Sequence, residues 1–114
     1  MKTDLEYLIE MTDNNKEVII EMIDIFIEQV EEFENEMRTL LKNKDYKALG
    51  QLSHKSKSSV AIFGMKELSM KLKELEIMAM KGTKPQLYKS FIDNYHDECI
   101  EAIEELKDYK KNIH

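Results

Sequence analysis

Proline occurs once in this 114-residue chain, glycine three times and cysteine once. So few helix-interrupting residues exclude an all-β domain, which needs frequent turns. The single cysteine, Cys99, rules out an intrachain disulfide and with it a secreted disulfide scaffold. Long apolar runs are missing as well. Val18-Ile19-Ile20 and Ile25-Phe26-Ile27 are far shorter than the roughly 20 residues a bilayer requires, and Met1-Lys2-Thr3-Asp4 precedes no apolar leader. A cytoplasmic protein is expected. There is no surplus of positive charge: 17 basic and 23 acidic residues give −6. That argues against nucleic acid and anionic membrane as partners, because both need clustered Lys and Arg. P-loop, dinucleotide glycine, HExxH and catalytic-triad patterns are absent too, so no machinery for turning over a small molecule is evident.

What remains is a chain 42% hydrophobic and 35% charged, long enough for one domain with one core. Thr3-Asp4-Leu5-Glu6 reads as a capping box opening a short helix that ends near Met11. Asn14 with Glu17 offers the next cap. A long helix over about 15–43 follows, with Ile19, Ile23, Phe26, Val30, Phe33, Met37 and Leu40 forming one seam. The glutamates between 28 and 36 lie largely off that seam, as a solvated face. Asp45 caps a helix of about 46–63, whose inward stripe holds Leu49, Leu52, Ser56, Ser59 or Val60, and Phe63. Gly64 and Gly82 mark left-handed helix stops on either side of a helix over about 66–81, which carries Leu68, Leu72, Leu75 and Ala79. Thr83 and Pro85 open the last helix, about 84–112, which lines up Tyr88, Phe91 or Ile92, Tyr95, Cys99, Ala102, Leu106 and Tyr109. The expected fold class is all-α: an antiparallel up-down four-helix bundle with a short additional N-terminal helix.

Chemistry concentrates in Ser53-His54-Lys55-Ser56-Lys57-Ser58-Ser59-Val60-Ala61-Ile62-Phe63-Gly64. Helical spacing surrounds His54 with Lys47, Gly50, Gln51, Lys57, Ser58 and Ala61, none of them large and apolar. His54 is therefore expected to stand on the surface among small neighbours. Glycine inside a helix costs about 1 kcal/mol against alanine, so Gly50 and the serines suit a face that another protein must approach closely. Neutral imidazole is a good nucleophile near neutral pH. A cation at Lys57, one turn on, opposes its protonation and can pair with an acquired phosphoryl group, with Ser58 or Ser59 adding hydrogen bonds.

This segment resembles the signature of histidine-phosphotransfer (HPt) domains: His54, Lys57 at +3, Ser58 and Ser59 at +4 and +5, and Gly64 at +10. The order of helices is similar over nearly the whole chain. The resemblance implies a carrier in a multistep two-component phosphorelay. His54 would accept a phosphoryl group from the aspartate of one receiver domain and pass it to another, with Lys57 steadying it. No kinase activity and no cofactor in this chain are implied. Mg²⁺ is expected on the partner, a receiver domain of a response regulator or hybrid sensor histidine kinase. The position at +4 is often Gly in the family and is Ser58 here. The family also tends to place a polar side chain from the next helix beside the histidine, twelve residues past the Gly. That position is Glu76, which would accept the imidazole N–H and fix its tautomer.

Other residues have plainer readings. His96 and Cys99 lie three apart, but two ligands are too few for structural zinc, and Cys99 falls on the core stripe as a small buried hydrophobe. No metal site is expected. His114, the terminal residue, is expected to fray. Met65, Met70, Met78 and Met80 read as core filling, whereas Met11 or Met22 would contribute to an apolar docking patch near His54. The alternative function is a non-catalytic helical adaptor of the same fold. The dimerisation half of a sensor kinase fits less well, since an ATP-binding domain should follow it, and a monomer is expected.

Overall fold

The computed structural model describes residues 1–113; His114 lies outside the described residues. Among the described residues there is no strand. The helices are α1 (Glu6–Met11), α2 (Lys16–Lys42), α3 (Tyr46–Ile62), α4 (Lys66–Lys81) and α5 (Tyr88–Asn112), with a 3₁₀ turn at Pro85–Leu87. The last helix thus starts later than its pattern suggests. Lys84 takes a φ of 53°, which breaks helical continuity, and Pro85 opens only the 3₁₀ turn.

Pairs across the helices run in opposite senses. Gln29 and Phe33 of α2 meet Ser59 and Lys55 of α3. Gly50 and His54 of α3 meet Met80 and Glu76 of α4. Asp24, Glu34 and Arg38 of α2 meet Lys110, His96 and Asp93 of α5, and α4 also packs on α5. The arrangement is an antiparallel four-helix bundle measuring 46 × 20 × 20 Å. α1 covers the end where α3 stops, burying Leu8 completely.

The α2 seam is buried from Ile19 to Met37, with Leu40 half-buried, and meets the expected α4 and α5 stripes. Burying each large aliphatic or aromatic side chain contributes about 1.5–3 kcal/mol, so this core carries the fold. Met65 joins it, but Met70 and Met80 are exposed and Met78 is half-buried. With Leu68, Leu72, Leu75 and Ala79 turned inward, those methionines fall on the outer side of α4.

Three caps differ from expectation. Thr3 turns away from α1 and gives both its hydroxyl and its N–H to Glu105, at 2.8 and 2.9 Å, while Asp4 accepts from the Glu6 N–H at 3.0 Å. Asn15 rather than Asn14 caps α2, taking the Val18 N–H at 3.3 Å, because Asn14 occupies a left-handed turn position at φ 56°. Thr83 caps nothing and donates to the Met78 carbonyl. Asp45 does cap α3, through the Ala48 N–H. No helix among the described residues is long and apolar enough to cross a membrane.

Candidate functional site

α3 presents His54 because its opposite side is consumed by packing. Leu49, Leu52, Ser53, Ser56 and Val60 are buried. The two serines fit there because each hydroxyl donates to the carbonyl four residues back, Leu49 and Leu52 respectively, which leaves no orphaned donor. His54 is left projecting outward with its side chain 61% exposed.

Its ring is held at one nitrogen. Nδ1 lies 2.9 Å from Glu76 Oε2 on α4, and Lys57 Nζ lies 3.0 Å from Glu76 Oε1. Burial pushes the Glu76 carboxyl up, but the hydrogen bonds from Lys57 and His54, with the Lys57 charge, outweigh it and hold the group below its ordinary value. An ionised carboxylate only accepts, so the proton of this contact sits on Nδ1. Lys57 Nζ is also 3.3 Å from Nδ1, yet a protonated nitrogen has no lone pair to offer, and the lysine's bond goes to Glu76. In the neutral ring with Nδ1 protonated, the outer nitrogen, Nε2, is the one that carries the lone pair. Lys57 is the cation expected beside the imidazole, 22% exposed and paired with Glu76 as well.

The other residues of the predicted site divide into two groups. Gln51, Ser58 and Ala61 are exposed on the same helix, and the Ser58 hydroxyl leans back to the His54 carbonyl at 3.4 Å. Gly50, by contrast, is buried, which corrects its placement on an open face. A Cβ there would stand 2.8 Å from Met80 Cγ and 3.0 Å from the Met80 backbone N, so this glycine lets α3 and α4 approach each other. Ser59 is committed to α2, donating to Gln29 Oε1 at 3.0 Å. Gly64 sits at the α3–α4 turn with φ +74°, against the backbone of Asp4.

Gln29 escaped the sequence reading, and Met80 figured there only as core filling. Nothing local marks either one, although a glycine inside a helical pattern can have a packing reason. A shallow apolar groove between α2 and α3 flanks the site, with Met22, Ile25, Gln29, Phe33, Ser58 and Ile62 among its lining residues. Met11 is exposed at the end of α1 and does not line this groove. Elsewhere, Cys99 is fully buried, and burial pushes its thiol up to about 12. His96 Nδ1 pairs with Glu34 at 2.5 Å.

The Hpt domain family model matches residues 21–109. No curated protein and no solved structure matched the chain.

Proposed function

The chain belongs to the Hpt domain family, whose members carry out histidine phosphotransfer with receiver domains in two-component systems, and from that premise we propose that His54 is the phosphoryl carrier of a multistep relay in the cytoplasm. His54 takes the group from one receiver aspartate and gives it to another, and the protein acts as a monomer.

The observation that carries this reading is an exposed imidazole whose Nδ1 is occupied by Glu76, leaving Nε2 open to a partner. The Nε2 lone pair attacks the phosphorus of an aspartyl phosphate. A P–N bond forms, the P–O bond to the aspartate breaks, and that electron pair returns to the carboxylate. Nδ1 keeps its proton, so the ring gains positive charge as the bond forms, and the Glu76 carboxylate at 2.9 Å offsets it. In the return step the charged ring is a good leaving group. Lys57, whose ammonium lies 3.3 Å from the ring, serves as counter-charge to the phosphoryl oxygens. Ser58 leaves room for the partner, and Ala61 and Gln51 extend the same small-residue face. Mg²⁺ belongs to the receiver's acidic site in this reading. The α2–α3 groove, with Met22 and Ile25, supplies apolar docking area beside the reactive nitrogen.

Phosphorylated receiver domains of the source organism, offered one at a time, test the proposal. At least one should label the protein with an acid-labile, base-stable phosphoryl group, and His54→Gln should abolish the label without loss of helical content. Labelling of that variant at the full rate would show the residue assignment to be wrong. An unchanged cellular output with His54→Ala would favour the adaptor alternative.

A further inference from the structure

Charge in this acidic chain is not evenly spread. From Tyr46 to Lys66 there is no Asp or Glu, while Lys47, Lys55, Lys57 and Lys66 fall within that stretch. The bundle end at which α3 begins continues the pattern. The turn segments 41–47 and 80–88 hold Lys42, Lys44, Lys47, Lys81 and Lys84 against one carboxylate, Asp45, which is occupied in capping α3. Both segments lie at the same end, because Gly50 near the start of α3 meets Met80 near the end of α4. The opposite end is mixed: Glu6, Glu10, Asp13, Glu17 and Glu21 stand there with Lys16, Lys66, Lys107, Lys110 and Lys111, and Lys110 pairs with Asp24.

Part of this has a local explanation, since Lys42 and Lys81 complement helix C-termini. Lys47 has none. It stands in the first turn of α3, where the helix dipole favours an acid and disfavours a cation, and that turn holds no acidic residue. Lys55 is exposed, its ammonium 5.8 Å above the Phe33 ring at the rim of the groove. Among the described residues, none of Lys47, Lys55, Lys81 or Lys84 is paired with a carboxylate. Lys55 is next to His54 in sequence and Lys47 lies two turns before it on α3, so unpaired positive charge runs from the imidazole toward this end of the bundle, although the molecule as a whole is negative.

We propose that Lys47, Lys55, Lys81 and Lys84 form an electrostatic docking tract that draws in the acidic face of the phosphoryl-exchanging receiver and turns His54 toward it. This rests on the relay reading, in which the partner's reactive aspartate lies in an acidic site. The tract acts on encounter. It touches no reacting atom, so it raises the association rate and leaves the rate of transfer within the complex unaltered.

The test uses the full chain and the phosphorylated receiver domain that labels it fastest. Second-order and saturating first-order labelling rates are measured from low salt to about 0.5 M, where charges beyond a few ångströms are screened. For the wild type the second-order rate should fall steeply with salt while the saturating rate stays flat. Lys47→Glu with Lys84→Glu should lower the second-order rate about tenfold at low salt and converge on the wild type at high salt. Lys47→Gln with Lys84→Gln, milder for folding, should fall between them. Lys107→Glu with Lys111→Glu, the same charge change at the opposite end, should stay within about twofold of the wild type. A salt-insensitive wild-type rate, or an equal loss in the distant pair, overturns the tract and leaves the relay standing. A wild type that no receiver labels overturns the relay reading and the tract together.

Discussion

Gly64→Ala separates structural from functional need at a position that the resemblance includes in the site motif. Gly64 has φ +74°, and a Cβ there would lie 2.3 Å from the Asp4 carbonyl oxygen and 2.6 Å from Asp4 Cβ. A left-handed alanine costs about 1–2 kcal/mol. The clash is with backbone, so it is relieved only by lifting the N-terminal segment. That segment is held by the Asp4 N–H to the Phe63 carbonyl at 3.0 Å and by the Lys2 and Thr3 bonds to Glu105. Losing two or three such bonds adds about 1 kcal/mol each, for a total of about 3–5 kcal/mol, a large part of a typical domain's stability. Urea unfolding followed by circular dichroism measures it. In a chain lacking residues 1–4 the same substitution should cost only the conformational part, about 1–2 kcal/mol. A loss under about 1 kcal/mol in the full chain, or equal losses in both backgrounds, would refute the argument. Gly64 is ten positions past His54, about 15 Å along a helix, so the labelling rate per folded molecule should be unchanged. A slower rate in the folded variant would place this glycine in the docking surface after all.

Lys57→Ala should slow phosphoryl transfer or shorten retention of the label while changing stability by no more than about 1 kcal/mol, as expected for a partly exposed pair; unaltered kinetics in both directions would remove its role. Cys99 should react with a thiol reagent at pH 8 only on unfolding, since burial pushes it from 9.0 to about 12 and leaves roughly a thousandfold less thiolate. Rapid stoichiometric reaction of the native protein would contradict its buried place. Acid should also destabilise the bundle through Glu76 and Glu105. Burial raises the Glu105 carboxyl, but the Lys2 and Thr3 backbone bonds and the Thr3 hydroxyl prevail, so both groups titrate below their ordinary 4.5 in the folded state. The unfolded chain therefore takes up these protons first. Their contribution is present above about pH 4.5 and is lost as the pH falls through the lower folded values. Stability against pH should fall less steeply below that point in Glu105→Gln, and an identical acid limb would count against the assignment.

Helix number, order and core stripes were legible because they depend on periodicity, which is local. Ile19 through Met37 repeat at spacings of three and four, and all six seam residues from Ile19 to Met37 are buried. His54, Lys57 and Ser58 were legible for the same reason, since they share one helix. Glu76 came from the resemblance, not from spacing. The errors cluster where a residue's partner is remote in sequence. Thr3 looked like a cap but found Glu105, 102 positions away. Ser59 looked like a phosphate donor but bonds Gln29 across the α2–α3 seam. Met70 and Met80 looked like core filling because composition does not reveal which side of α4 faces inward.

Gly50 is the case in which a correct signal received the wrong cause. Its cost inside a helix called for compensation, and access for a partner was the expected one. The structure supplies another: α4 comes within 2.8 Å of the place a Cβ would occupy. The position matters for chemistry, because Gly50 and Met80 lie one helical turn from His54 and Glu76 along the same two helices. Glu76 meets Nδ1 at 2.9 Å across this close approach. A Cβ at position 50 would displace the exposed Met80 side chain and press on the α4 backbone at 3.0 Å, and any parting of the helices there would weaken the bond that keeps the proton on Nδ1. The glycine therefore bears on the imidazole through the spacing of two helices, not by opening a face to a partner.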